Sequence, residues 1–385
     1  MIMKLKDICD FQSGGTPSKR NSEFFNGTIP WITTTALNNS KINEACATEW
    51  ITESAIVGSA AKIVPAHSIM VGTRVGVGKV AINTVKMSTN QDIIALLNID
   101  ERNWSKEYLC KFIQSKFDYL NSQSRGATIK GIKIDVLANL KITQIPLNRQ
   151  KEVSKTIDKV QKILEDRKKQ LQGLDKLVKA RFVELFGDVV LNDKHWETQE
   201  FSKVTDSRLG KMLDAKRQTG QSSFPYLANA NVQWFRFEVD CLNEMDFNEA
   251  EQKEFALEEG DLLVCEGGEI GRCAIWHNQV QPCFFQKALH RVRCKQGIIL
   301  PDYLAWWFKF NCENNGFTAI EGAKATIAHL PGAKLKKLRV VIPPLSLQNQ
   351  FADFVTQVDK SKAAVQKALD ETQLLFDSLM QEYFG

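Results

Sequence analysis

The side chains in this sequence best suited to chemistry are cations and hydroxyls on glycine-rich loops, and the chemistry they suit is contact with a phosphate backbone. Thr16, Ser18, Lys19 and Arg20 follow a Gly-Gly pair. Arg125 to Lys133, RGATIKGIK, is a basic, glycine-rich loop after a helical stretch. Its Arg125, Lys130 and Lys133, with Thr128 between them, form the strongest phosphate candidate. Arg74 and Lys79 flank Gly76 and Gly78 and are expected at a hairpin tip able to enter a groove; a plainly solvated hairpin has the same signature. Side chains suited to base edges follow Trp31, namely Thr33, Thr34 and Thr35 and then Asn38. For the threonines, β-propensity alone is an equal explanation. Asn90 and Gln91 offer further amide groups.

A second set stands in the other half of the chain. It comprises Lys211, Lys216 and Arg217, then Tyr226, Asn229, Asn231 and Gln233, then Arg272, Gln286, Lys287, Lys324 and Thr326. Glu266 and Glu269 lie on the matching hairpin, where a carboxylate can accept from a cytosine amino group; simple surface placement is the competing reading. Trp234, Trp276, Trp306 and Trp307 read as core, because a duplex offers no splayed base to stack on.

No catalytic constellation emerges. Ile342-Pro343-Pro344-Leu345 lacks the polar leader and the aromatic of a base-methylating element, and Gly76-x-Gly78 does not open a helix of a βαβ unit. There is no Gly-Lys-Ser/Thr loop for ATP. Cys273-x3-His277-x5-Cys283 lacks paired Cys-x2-Cys spacing and a fourth ligand, so no metal is expected. The chain reads as non-catalytic, with no cofactor of its own.

Composition sets the outer bounds. The 385 residues are 43% hydrophobic, enough for two or more domains. Lys and Arg outnumber Asp and Glu by 50 to 45, a balance that permits a nucleic-acid partner without demanding one. No apolar run approaches the ~20 residues that cross a bilayer. The first residues, MIMKLKDICDFQSGG, have no apolar signal region. Nine cysteines without a spacing pattern suit a reducing cytoplasm.

The elements that must position these residues are used twice. Pro146 and Pro344 differ by 344 − 146 = 198, and that shift aligns the chain to its end without a gap. Pro146, Leu147, Gln150, Val160, Lys162, Lys169, Leu171, Leu177, Glu184, Phe186 and Gly187 all recur. Upstream, Ile29-Pro30-Trp31-Ile32 matches Phe224-Pro225-Tyr226-Leu227, and the hairpin SIMVGTRVGVGKVAI matches DLLVCEGGEIGRCAI. Each globule mixes short strands with one amphipathic helix, an α+β class. A long helix follows each globule. Val153, Ile157, Val160, Leu164, Leu171, Leu174 and Val178 form a heptad seam on the first, interrupted by Arg167. Phe351, Val355, Val358, Val365, Leu369 and Phe376 form the seam of the second, which also carries Lys362. Arg167 and Lys362 either snorkel at the seam edge or fix register. The order globule, helix, globule, helix predicts antiparallel pairing of the helices, a pseudo-two-fold dumbbell suited to duplex DNA.

Taken in order, these motifs resemble the specificity subunit of type I restriction–modification systems. The resemblance rests on Gly14-Gly15-Thr16-Pro17-Ser18 with Ile29-Pro30-Trp31, the hairpin, Asn90-Gln91-Asp92, Gly126-Ala127-Thr128, and the Ile-Pro-Leu lead-in to the helix. The second copy lacks the Gly-Gly-Thr-Pro-Ser run and sets Phe285-Gln286-Lys287 against Asn-Gln-Asp. The resemblance implies target-recognition domains at 1–147 and 189–345, with spacer helices at 148–188 and 346–385. It further implies a bipartite, asymmetric DNA target, two modification (methyltransferase) subunits and restriction subunits as partners, and S-adenosylmethionine and ATP bound by those partners. A coiled-coil adaptor that binds protein surfaces without reading DNA is the alternative.

Overall fold

The structure is a computed structural model that describes residues 1–38, 40–124, 131–214, 218–317 and 329–385. Contacts divide it into two compact units, Met1–Lys168 with Lys367–Gly385, and Lys169–Gln366. Each unit therefore holds one globule and a length of each long helix.

In the first unit the strands fall into two sheets and a ribbon among the described residues. One sheet runs Asp10–Ser13, Ile93–Leu97, Ile69–Gly72, Val80–Asn83, Lys41–Ile42. The other runs Glu49–Ile51, Phe25–Ile32, Met87–Thr89, Ile63–Val64. Ile2–Lys4 pairs with Lys141–Thr143, closing the globule just before the long helix. Ile69–Gly72 and Val80–Asn83 are buried throughout and form the expected hairpin. Its turn needs a left-handed residue at Gly78, whose φ is 82°. The helix Lys106–Ser115 starts where the Ser105 hydroxyl accepts from the Tyr108 amide, and it buries Tyr108, Leu109, Phe112 and Ile113 on one face.

The second unit repeats the plan. Its larger sheet runs Thr205–Leu209, Leu289–Cys294, Leu262–Cys265, Cys273–Ile275, and its smaller one Asn243–Asp246, Ser223–Leu227, Phe284–Phe285. The ribbon is Glu197–Glu200 with Arg339–Ile342, and the helix is Pro301–Glu313. Gly271 takes the left-handed turn, with φ at 78°.

The long helices are Leu147–Phe186 and Leu345–Phe384. Every seam position named above is buried or half-buried, and so are Arg167 and Lys362. In the first unit Val153 and Ile157, near the start of one helix, share a core with Phe376 and Phe384, near the end of the other. In the second, Val178, Phe182 and Phe186 share a core with Phe351, Val355 and Val358. Arg181 lies over the Phe354 ring at 5.9 Å, and Asp175 meets Lys362 at 2.6 Å, so the two helices run antiparallel there. Lys362 thus makes a cross-helix ion pair to an exposed carboxylate, a contact that snorkelling at the seam edge and register fixing both allow.

Each globule is also tied to the helix that follows it by a buried glutamine. Gln150 Oε1 accepts from Ser105 N at 2.9 Å, and its Nε2 donates to the carbonyls of Asn103 and Ile145, both at 2.8 Å. Gln348 repeats the set, accepting from Leu300 N at 2.9 Å and donating to Ile298 O at 3.1 Å and Pro343 O at 2.8 Å. The duplication thus extends to individual hydrogen bonds. No helix among the described residues is long and apolar enough to cross a membrane.

Candidate nucleic-acid interface

In the first unit the glycine-rich loop is held against the sheets by its backbone. Gly14 N donates to Ile93 O at 3.1 Å, and Gly15 N to Thr89 O at 2.8 Å. A Cβ at Gly15 would lie 2.1 Å from Ala60 O, so only glycine permits this approach. Trp31 is buried and donates from Nε1 to Gly15 O at 3.0 Å, which makes it a brace for the loop. Beyond that brace Thr16, Ser18, Lys19 and Arg20 are exposed. Thr16 hydrogen-bonds Gln91, and Lys19 pairs with Glu49 at 2.8 Å.

The threonine run opens a short 3-10 helix, Thr34–Asn38, instead of continuing a strand. Thr34 is buried; Thr33 and Thr35 bond each other at 2.8 Å, and Asn38 accepts from Lys79 Nζ at 2.7 Å. Arg74 is exposed on the hairpin and lies 3.5 Å from the Asp92 carboxylate. Asn90 is buried, and its Nδ2 holds that carboxylate at 3.1 Å. The segment Asn90–Asp92 therefore links the glycine-rich loop to the hairpin. Arg74, Gln123, Gly131, Lys133 and Asp135 line an open cleft of about 540 Å³. Arg125, Thr128 and Lys130, like Lys216, Arg217, Lys324 and Thr326, lie outside the described residues.

The second unit uses its matching residues differently. Lys211 Nζ meets Glu251 at 2.6 Å and sits 4.8 Å over the Phe247 ring. That engagement leaves little of its charge for a phosphate. Tyr226 is buried. Arg272 donates to Asn229 Oδ1 at 2.7 Å, Asn229 donates to Gly267 O at 2.9 Å, and Asn231 accepts from Ala228 N at 2.8 Å. Glu269 accepts from Trp234 Nε1 at 2.7 Å, while Gln286 is half-buried and Lys287 exposed. Of the Cys273, His277 and Cys283 set, His277 is exposed and bonded to Glu259 at 2.7 Å. Burial pushes the Cys283 thiol up to about 12.

Backbone hydrogen bonds decide which residues of the two units are equivalent. Asn90 N donates to Ile32 O and Gln286 N to Leu227 O, both at 3.0 Å. Gly14 N to Ile93 O has its counterpart in Gly210 N to Leu289 O, and Gly15 N to Thr89 O in Lys211 N to Phe285 O. Asn90-Gln91-Asp92 therefore corresponds to Gln286-Lys287-Ala288. The sequence alignment, which set Phe285 against Asn90, is one residue out of register, because polar similarity over three residues cannot resolve a one-residue slip.

The family model described as "Type I restriction modification DNA specificity domain" matches residues 1–173 and again 193–372, one match per repeat. The chain belongs to that family. It is 26% identical over 291 residues to the type I restriction enzyme MjaIX specificity subunit of Methanocaldococcus jannaschii, covering 70% of this chain and 66% of that protein. Against the EcoR124I/EcoR124II specificity subunit of Escherichia coli it is 32% identical over 162 residues, 40% of this chain and 39% of that one. The matches thus span less than two thirds of those curated relatives. Its fold is similar to that of a type I restriction–modification S subunit from M. genitalium, with a TM-score of 0.59 at 14% identity over 100% of this chain and 96% of the other.

Within this specificity-domain pair, three residues at the hairpins escaped the sequence reading. Asp92 braces Arg74, Gly131 makes room for the Arg74 stem, and His329 stands beside Gly267. Asp92 belongs to the Asn90-Gln91-Asp92 motif and Gly131 to the RGATIKGIK loop, but neither position marks its residue as a neighbour of Arg74, and His329 lies in no motif. Only the hydrogen-bond equivalence of the two domains exposes them.

Proposed function

We propose that this chain is the DNA-reading subunit of a type I restriction–modification complex. Two target-recognition domains, at 1–147 and 189–345, read the two halves of a bipartite asymmetric target. The long helices, 148–188 and 346–385, act as an antiparallel coiled-coil spacer between the half-sites. Two modification subunits, and restriction subunits with them, assemble on the chain in the cytoplasm. Catalysis, S-adenosylmethionine and ATP belong to those partners.

The observation that carries this reading is a shared backbone with unshared side chains. Gly14/Gly210, Asn90/Gln286 and Thr73/Glu266 make the same main-chain bonds, yet the residues displayed beside them differ in size and charge. Two frames of one build presenting different surfaces are what reading two different words requires. The first domain's contacts would come from Thr16, Ser18, Lys19, Arg20, Thr33, Thr35, Asn38, Arg74, Lys79, Gln91 and Lys133, with Trp31, Thr34 and Asn90 supporting them from the interior. The second domain would use Asn229, Asn231, Arg272, Gln286 and Lys287, with Tyr226 and Lys211 in support.

Selection from a pool of random duplexes by the full chain with its modification subunits tests this function. Two short words at fixed spacing are expected to be enriched. A pool that emerges without any word would return the chain to the adaptor class.

A further inference from the structure

We propose that the seat beside each hairpin is a base-reading position, filled by Arg74 in the first domain and by His329 in the second. The inference rests on the DNA-reading function above and names the residues that make the two words differ.

The segment returning to the hairpin is bonded alike in both domains. Ile132 N donates to Thr73 O at 2.8 Å, and Leu330 N to Glu266 O at 2.6 Å. Gly131 and His329 precede those donors; Arg74 and Gly267 follow those acceptors. At this contact the bulk is exchanged. In the first domain a Cβ on Gly131 would come within 2.7 Å of Arg74 Cγ, so the arginine stem occupies the space. In the second, a Cβ on Gly267 would come within 3.2 Å of the His329 imidazole, so the histidine occupies it. Gly267 and His329 pair there as an isolated antiparallel bridge. The seat holds one large polar side chain, and each domain supplies it from the opposite strand. Both Arg74 and His329 are exposed.

The surroundings suit readout better than simple charge. The Asp92 carboxylate lies 3.5 Å from the Arg74 guanidinium and is itself held by Asn90 Nδ2 at 3.1 Å. Thr73 N and Oγ1 both donate to Asp92 O, at 2.8 and 3.1 Å, so acid and hairpin move as one piece. A guanidinium braced on one side keeps an edge free for two parallel donors, the pattern that O6 and N7 of guanine accept. A residue needed only for phosphate attraction would be weakened by a neighbouring carboxylate. The second domain has lost both members together, with Gly267 at the position of Arg74 and Ala288 at that of Asp92. Its imidazole, a donor on one nitrogen and an acceptor on the other when neutral, suits a single bond to a base edge. Asp92 is accordingly a positioning residue that acts through Arg74.

The random-duplex selection is repeated with Arg74→Ala, Arg74→Lys, Asp92→Ala and His329→Ala in the full chain with its modification subunits. Arg74→Ala is expected to erase a guanine preference at one position of one half-site, a loss of about ten- to a hundredfold in discrimination, and to leave the other word intact. Arg74→Lys should restore it only in part, since the flexible ammonium lacks the pre-organised planar fork that Asp92 can brace. Asp92→Ala should relax the same position and add nothing in the double variant with Arg74→Ala. His329→Ala should relax a position of the opposite half-site alone. A uniform loss of affinity across all sequences, with the salt slope reduced by about one, would make Arg74 a phosphate contact and overturn the proposal. Unchanged words in either alanine variant would overturn it for that domain. Absence of any bipartite word with the wild-type chain would instead remove the DNA-reading function itself.

Discussion

Residues 1–147 and 189–345 share a plan of sheets, hairpin and helix, and they differ most in charge. The first hold 17 Lys and Arg against 12 Asp and Glu (17 − 12 = +5), the second 19 against 20 (19 − 20 = −1). The excess acid of the second domain is placed on its own cations: Glu251 on Lys211, Glu254 on Arg208, Glu258 and Asp261 on Arg293. In the first domain Arg20 and Lys133 are exposed, and no carboxylate of the described residues pairs with either. One backbone thus supports a net-positive domain with unpaired surface cations and another whose charges are largely paired with one another. The main-chain bonds are indifferent to the surface charge, which leaves that charge free to diverge.

The contrast is sharpest below the surface at Asp261 and Arg293, which replace Ser68 and Leu97 of the first domain. Asp261 is buried, takes Arg293 Nε at 2.6 Å and NH2 at 3.1 Å, and accepts from Glu258 N at 2.9 Å. Asp261→Ala leaves a half-buried guanidinium without its buried partner and is expected to destabilise the second unit by about 3–5 kcal/mol. Ser68→Ala removes one hydroxyl bond to Pro65 O, of 2.8 Å, and should cost the first unit about 1 kcal/mol. Denaturant midpoints, with amide exchange to assign the loss to a unit, check both. Equal losses would mean that the two cores are interchangeable after all.

Gln150 and Gln348 test the opposite side of the comparison, what the units share. Either residue changed to Ala leaves one buried amide and two carbonyls without their partner, with an expected loss of about 2–3 kcal/mol in its own unit. The two losses should agree within the error of the same exchange experiment. A large difference would show that the repeated hydrogen bonds are not energetically equivalent.

The smallest effect concerns pH. His290, buried in the second unit with Nε2 at 2.9 Å from Leu330 O, stands where the first unit has Ile94. Burial chiefly, with the Lys336 charge adding to it, holds its pKa below the ordinary 6.5, against the opposing pull of the Leu330 carbonyl and Glu266. The unfolded chain then binds the proton first, so stability is complete above about pH 6.5 and falls as pH drops toward the folded value. The urea midpoint of the second unit should decline between pH 7.5 and 5.5 by less than the Asp261→Ala loss. His290→Gln should flatten that decline, and an unchanged slope in the variant would assign it to another group.

Much of this molecule was legible in its residues alone. The duplication, both hairpins, both amphipathic helices and the faces of the long helices follow from short-range periodicity, since one repeating face of one element leaves its mark on neighbouring residues. Glycine at the left-handed turns Gly78 and Gly271 was equally local. What a linear reading could not supply were relations between elements distant in the chain. Trp31, Thr34, Asn90 and Tyr226 have the types of surface readers but are buried, and Lys211 has the type of a phosphate contact but is tied to Glu251. The one-residue register of Gln286 against Asn90, and the exchange of Arg74 over Gly131 for His329 over Gly267, depend on which backbone amide meets which carbonyl across the sheets. Cross-strand neighbours are chosen by long-range pairing and steric fit, and the residue types on either strand carry no record of that choice. The sequence by itself determined that there are two like domains with helices between and after them; the tertiary structure decided which side chains each domain displays.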